Sequence, residues 1–243
     1  MGTAPTRLVL LPGWAETGGV FARLLPRLPG TVVAEVVELA DPAITDWSVR
    51  ALASRVAETL DRPRPSVART VVLGTSSGGY VAQQLAVDRP DLLDGLVLVG
   101  SPVDLRSRPP FADDVERLTD PVDPAWVRAS LDWFGTGATI PADFLAARSA
   151  ESAALGARVW RDSLRGLVDS KPPLSTGTIE VPTLVVGGAL DELVGPSHER
   201  LLAALPRARG TVYARTGHLV LWERPERVAA DVVAFLDDVG RDR

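Results

Sequence analysis

No stretch constrains this chain more than Thr70 to Val87, TVVLGTSSGGYVAQQLAV. Thr70 to Leu73 is β-branched and apolar, the composition of a buried strand in a parallel sheet. Gly74 to Gly78 interrupts it. From Tyr80 the apolar residues return at helical spacing, with Val81 and Leu85 four apart. A strand that passes into a helix through so short a glycine-rich link predicts a sharp turn. Inside it, Gly74-x-Ser76-x-Gly78 has the form of a nucleophile elbow. A serine on such a turn takes strained backbone angles, and its hydroxyl stands above the sheet. Neighbours two residues to either side come too close for side chains, so glycine is wanted at both. Ser76 has that pair; Ser77 does not, because position 75 is Thr75.

The same alternation of strand and helix runs through most of the chain. Strands are expected at Arg7 to Leu11, Thr31 to Leu39, Thr70 to Leu73, Gly95 to Val99, Thr183 to Val186 and from Thr211 to Tyr213. Helices are expected at Gly18 to Leu28, along Val49, Leu52, Val56 and Leu60 after a cap at Asp46 or Ser48, at Pro196 to Leu205, and from Pro225 onward. Between Ser101 and about Pro173 no strand-like run occurs. Short helices are predicted there near Ala112 to Leu118, Pro124 to Phe134, Pro141 to Ser149 and Leu155 to Val168, separated by prolines and glycines. The predicted fold class is therefore α/β, a mostly parallel central sheet of about six strands with helices on both faces. A helical cap is inserted after the fourth strand. Residues 1–101 and 174–243 form the core domain and residues 102–173 the cap.

In such sheets ligands sit beyond the carboxyl ends of the strands. Pro12-Gly13-Trp14, Ser76, the loop after Val186 and Gly217-His218 all fall there. A serine hydroxyl needs a base to take its proton, usually histidine. The chain has two histidines. His198 lies in a predicted helix among surface-type residues and reads as solvated. His218 follows a strand and is the candidate base. A carboxylate must hold the imidazole in the right tautomer, and the order serine, acid, histidine places it between residues 77 and 217. Asp191, after the fifth strand, is the candidate. Its neighbour Glu192 would point elsewhere, and Asp104, after the fourth strand, is the runner-up. The backbone N–H groups of Ser77 and Trp14 are the candidate oxyanion donors. Trp14, Phe144, Trp160, Leu190 and Leu219 are the candidate pocket residues, which makes the pocket apolar. No arginine is singled out by its position as a clamp for a substrate carboxylate, which favours a neutral, hydrophobic substrate.

Composition closes off other chemistries. The net charge of −5 leaves no electrostatic footprint for nucleic acid and no basic face for an anionic membrane. There is no cysteine, hence no disulfide, thiol nucleophile or thiolate metal site. No apolar run approaches the length of a membrane span, and no secretory leader is recognisable, so cytoplasmic residence is expected by default.

LVLLPGW at Leu8 to Trp14, GTSSGGYVAQQLA at Gly74 to Ala86, GLVLVGS at Gly95 to Ser101, PTLVVGGALDELV at Pro182 to Val194 and TGHLVLWERPERV at Thr216 to Val228 together resemble the α/β-hydrolase fold superfamily. The resemblance covers nearly the whole chain and is nearest to the small carboxylesterase-like branch with a four-helix cap. It implies Ser76 as nucleophile, Asp191 as acid, His218 as base, and Trp14 and Ser77 at the oxyanion positions. It implies no metal and no organic cofactor, a small-molecule substrate, and a monomer or homodimer. The same site in this superfamily also serves lactone opening, perhydrolysis, carbon–carbon bond hydrolysis and low-turnover ligand reception. The chain departs from the family's pattern in three places. Pro12-Gly13 replaces the usual His-Gly, ELADPAITDWS replaces a glycine-rich motif after the next strand, and the N-terminal antiparallel hairpin is missing.

Overall fold

The computed structural model describes residues 5–62, 67–105, 108–135 and 137–241. Its centre is a sheet of β1 (Thr6–Leu11), β2 (Val32–Val36), β3 (Arg69–Thr75), β4 (Gly95–Val99), β5 (Thr183–Gly188) and β6 (Ala208–Tyr213). The strand order is β2-β1-β3-β4-β5-β6 and every described pairing is parallel. Leu73 faces Leu10 on one side and Val97 on the other. The sequence pattern is thus realised as a parallel α/β sheet.

Side chains alternate along the strands, and the two sets enter different cores. Val9, Leu11, Val72, Leu96, Leu98 and Val185 pack under α1 (Val49–Leu60) and α2 (Ser77–Asp88), with Leu52, Val56, Val81 and Leu85 in the same cluster. Leu8, Leu10, Val71, Leu73, Val97 and Val186 face the other way. They meet Val228, Val232 and Phe235 of α9 (Pro225–Arg241). Helices on both faces explain why the strands read as continuous apolar runs.

Two local expectations fail for identifiable reasons. Gly18 to Leu28 is not one helix but two 3-10 turns, Gly18–Phe21 and Leu25–Arg27. Pro26 has no N–H to continue a ladder, and the glycine pair at its start favours no helix. The second strand stops at Val36, short of Leu39, where it leaves the edge of the sheet.

Between β4 and β5 lie α3 (Ala112–Glu116), α4 (Pro124–Ser130), α5 (Ala142–Ala154) and α6 (Ala157–Asp169). A 3-10 turn over Leu131–Phe134 extends α4. These helices carry a third apolar cluster that includes Phe111, Val115, Val127 and Trp160. α7 (Ser197–Ala204) follows β5, and a short α8 (Val220–Glu223), absent from the sequence expectations, precedes α9.

β1 pairs with β2 on one side and β3 on the other, so successive connections leave the sheet in opposite directions at the β1/β3 boundary. A crevice opens beyond the carboxyl ends of strands at such a switch point. Pro12 to Trp14 and Ser76 are the residues that emerge there.

Candidate active site

Ser76 leaves β3 with φ 49° and ψ −124°, a conformation that side-chain-bearing residues rarely adopt. The turn survives because it is bare on both sides. A β-carbon on Gly74 would lie 2.4 Å from the carbonyl oxygen of Gly78. One on Gly78 would lie 2.3 Å from the carbonyl oxygens of both Leu11 and Pro12. The Ser76 N–H donates to Val99 O at 2.8 Å, which ties the turn to the neighbouring strand.

The sequence singled out three side chains, and they form one hydrogen-bonded chain. Ser76 Oγ lies 2.9 Å from His218 Nε2, and His218 Nδ1 lies 2.8 Å from Asp191 Oδ2. The second pair is almost wholly buried, at 3% and 4% side-chain exposure, so water does not compete for it. Asp191 Oδ1 has separate duties: it accepts the N–H groups of Leu193 and Val194 at 3.1 and 3.3 Å. The His218 N–H donates to Phe134 O at 3.2 Å, and the Phe134 ring stacks on the imidazole at 5.6 Å. Glu223, from α8, accepts the Gly217 N–H at 2.9 Å and the Gly137 N–H at 2.7 Å, and so braces the loop that carries His218. Burial raises the Glu223 carboxyl above the usual range, and the N–H groups pull against that shift.

Asp104 does not reach the imidazole; its Oδ2 accepts from Arg200 at 2.7 Å. Glu192 is exposed. His198 is not solvated as its helix suggested. Its ring fills the space over two glycines, 3.3 Å from where a β-carbon on Gly187 would be and 2.8 Å from one on Gly210. Both ring nitrogens are buried, and burial holds its pKa below the usual value.

A cavity of about 400 Å³ opens above Ser76. Trp14, Trp160 and Leu219 line it, as expected. Two expected residues do not. The Phe144 ring packs edge-on to Trp222 at 5.3 Å, and Leu190 is 51% exposed on the surface. Periodicity placed Phe144 on a helix but not the face that would meet the cavity, and Leu190 sits on a turn where the carboxylate beside it is the buried member. Five aromatic residues form a closed ring, of which Trp14, Phe111 and Trp160 line the cavity. Trp14 stacks on Phe111 at 5.6 Å, and Phe111 on Trp133 at 4.5 Å. Trp133 meets Trp126 at 5.5 Å, Trp126 meets Trp160 at 5.5 Å, and Trp160 returns to Trp14 at 4.9 Å. Trp14 Nε1 also donates to Trp160 O at 3.2 Å.

Four charged side chains of the cavity went unnoticed in the sequence: Arg108, Arg200, Arg148 and Glu16. Arg148 lines it from α5, paired with Glu151 and donating to Gly19 O. Glu16 lines it from the β1 loop and accepts the Gly13 N–H at 2.8 Å. Burial pushes the Glu16 carboxyl up to about 7; the Gly13 N–H and the charges of His218 and Arg148 pull the other way. The available signal was a lone carboxylate three residues after Gly13 in an otherwise apolar segment.

Chemically, an imidazole held between a hydroxyl and a buried carboxylate can take the hydroxyl proton and stabilise the resulting cation. Among the described residues no group of side chains is arranged to hold a metal ion, and no helix is long and apolar enough to cross a membrane.

The chain belongs to the alpha/beta hydrolase family, whose profile matches residues 8–231. It is 32% identical over 249 residues to polyketide synthase ThaQ of Burkholderia thailandensis, covering 97% of this chain but only 12% of that protein. It is 30% identical to lipase LipV of Mycobacterium tuberculosis, over 94% of this chain and 92% of the lipase. Among solved structures, an esterase from Exiguobacterium antarcticum superposes with a TM-score of 0.79 at 18% identity, covering 98% of this chain and 93% of the esterase.

Proposed function

We propose that this protein is a serine hydrolase that cleaves a small, apolar carboxylic ester through an acyl-enzyme. The observation that carries the reading is the unbroken relay Ser76–His218–Asp191, with contacts of 2.9 and 2.8 Å on a strained glycine-flanked turn. In this reading His218 Nε2 takes the proton of Ser76 Oγ as the oxygen bonds to the ester carbonyl carbon. Asp191 stabilises the imidazolium. The carbonyl oxygen becomes an oxyanion held by the backbone N–H groups of Trp14 and Ser77. The Ser77 N–H opens α2 and has no partner within the helix, as expected of a first-turn donor. The bond to the alcohol oxygen then breaks, and the alcohol leaves with the proton from His218. Water gives a proton to the same nitrogen, attacks the acyl carbon and releases the acid, restoring Ser76.

Residues 102–173 act as a cap whose Phe111 and Trp160 wall the acyl pocket beside Trp14. Trp14, Trp160 and Leu219 contact the substrate. The similarity to a lipase supports an ester over other acyl derivatives.

The test is hydrolysis of short-chain p-nitrophenyl esters by the wild type and by Ser76→Ala between pH 5 and 9. The wild type turns over steadily, and its rate depends on pH as general-base catalysis requires. Ser76→Ala falls by about 10⁴-fold or more. Equal rates in the two proteins would remove Ser76 as the nucleophile.

A further inference from the structure

Pro12 follows the first strand, and a proline offers neither a side-chain donor nor an N–H to brace the turn that follows. Something else must hold Gly13 and Trp14. The Gly13 N–H is bound not by backbone but by the Glu16 carboxylate, at 2.8 Å. The same residue lines the cavity with Ser76. A β-carbon on Gly13 would be 2.6 Å from Glu16 Oε2 and 3.3 Å from Ser76 Cβ, so glycine is required for the carboxyl to close over this turn. Glu16 N–H in turn donates to Gly13 O at 3.3 Å, so the residue clamps Gly13 from both its ends.

We propose that Glu16 is a positioning residue of this site, its carboxyl fixing the Pro12-Gly13-Trp14 turn so that the Trp14 N–H is aimed at the oxyanion. The assignment rests on the reading of Ser76 as nucleophile and goes beyond it by naming what aligns the oxyanion donor.

A consequence concerns charge. With Oε2 accepting from Gly13, a proton on Glu16 sits on Oε1, and the protonated acid brings no negative charge to the oxyanion. Ionised, the same group places a like charge beside it and opposes its formation. The charged groups that face Glu16 are His218 from the site and Arg148 from α5, and Arg148 is itself paired with Glu151. Neither group is free to cancel a second anion: the His218 ring is held by Asp191, and Arg148 is paired with Glu151. Burial already moves the carboxyl up to about 7, within the working range of a histidine base. Turnover should therefore decline on the alkaline side as Glu16 ionises.

The experiment compares wild type, Glu16→Gln and Glu16→Ala on one p-nitrophenyl ester from pH 5 to 9, with the Ser76→Ala rate subtracted. It is combined with amide hydrogen exchange at Gly13. Glutamine keeps an oxygen acceptor for the Gly13 N–H and cannot ionise; alanine keeps neither property. At pH 6 Glu16→Ala should lose about ten- to a hundredfold in kcat, with KM changing less than about threefold, because only transition-state alignment is lost. Glu16→Gln should restore kcat at pH 6 and lack the decline above pH 7 that the wild type shows. Gly13 exchange should be fast in Glu16→Ala and slow in the other two. An unchanged kcat in Glu16→Ala, or the same alkaline decline in Glu16→Gln, would overturn the proposal. If the wild type shows no turnover that Ser76→Ala removes, the ester reading falls on its own. Gly13 exchange then decides the clamp: unaltered protection in Glu16→Ala rejects it, and lost protection that Glu16→Gln recovers upholds it.

Discussion

The cavity is bounded by two regions built on different principles. Along the sheet edge, position is set by the main chain. Ser76 is held by its own φ and ψ, by a strand-to-strand hydrogen bond, and by glycines whose hydrogens touch carbonyl oxygens. On the helical side, position is set by side chains. Rings of Phe111, Trp126, Trp133 and Trp160 lean on one another, and long arginines reach across to carbonyls and carboxylates. The first kind of wall tolerates almost no change in atoms at fixed points. The second can exchange one apolar shape for another at moderate cost, because packing energy is spread over many weak contacts.

The largest effect that would test this contrast is Gly78→Ala. The added carbon meets two backbone oxygens at 2.3 Å, and neither can rotate away. We expect a loss of more than about 3 kcal/mol in urea unfolding, together with loss of activity. Near-wild-type behaviour would mean that the turn is softer than its contacts imply.

Next in size is the pH dependence at Glu16, which lies where the two regions meet. The Glu16 carboxyl binds its proton more tightly folded than unfolded, since burial raises it from 4.5 to about 7. Its favourable contribution is complete below pH 4.5 and is lost as pH rises through 7. Relative to Glu16→Gln, the wild type should lose about 2 kcal/mol of stability between pH 5 and 8. Parallel stability curves for the two proteins would place the carboxyl in a far more solvated setting.

A smaller effect is expected on the helical side. Phe111→Leu removes two stacked contacts but keeps an apolar filler, and should cost about 1 kcal/mol. Turnover of a short ester should survive, with KM changing more than kcat. Loss of kcat comparable to that of Gly78→Ala would erase the distinction between the two walls. Smallest of all is the exposed Arg117–Asp114 pair, which lies outside both regions. Asp114→Asn should change the unfolding free energy by no more than about 0.5 kcal/mol.

The same division explains what could be read in advance. Ser76 was legible because a glycine on each side is a local requirement, written within five residues. Asp191 and His218 followed from the ends of strands whose apolar runs are equally local. The sheet itself followed from the alternation of those runs with helices. Phe144, Leu190 and His198 were misplaced because their settings depend on partners far away in sequence: Trp222 for the first, the exposed outer side of a turn for the second, and two glycines on neighbouring strands for the third. Glu16 and Glu223 escaped notice for a related reason. A carboxylate that braces a backbone N–H has no periodicity, and nothing beside it in the sequence announces that it is buried.

Trp14 belongs to both walls. Its main chain lies in the turn after the first strand, while its indole completes the aromatic ring of residues inserted more than ninety positions later and bonds to the carbonyl of Trp160. The helical insert is therefore not a detachable module. Exchanging it for another of the same length would leave an indole without its socket, and that vacancy would lie within the turn that Glu16 clamps. Diversification of this molecule by swapping inserts must carry residue 14 along with the insert, although the chain places them in different segments.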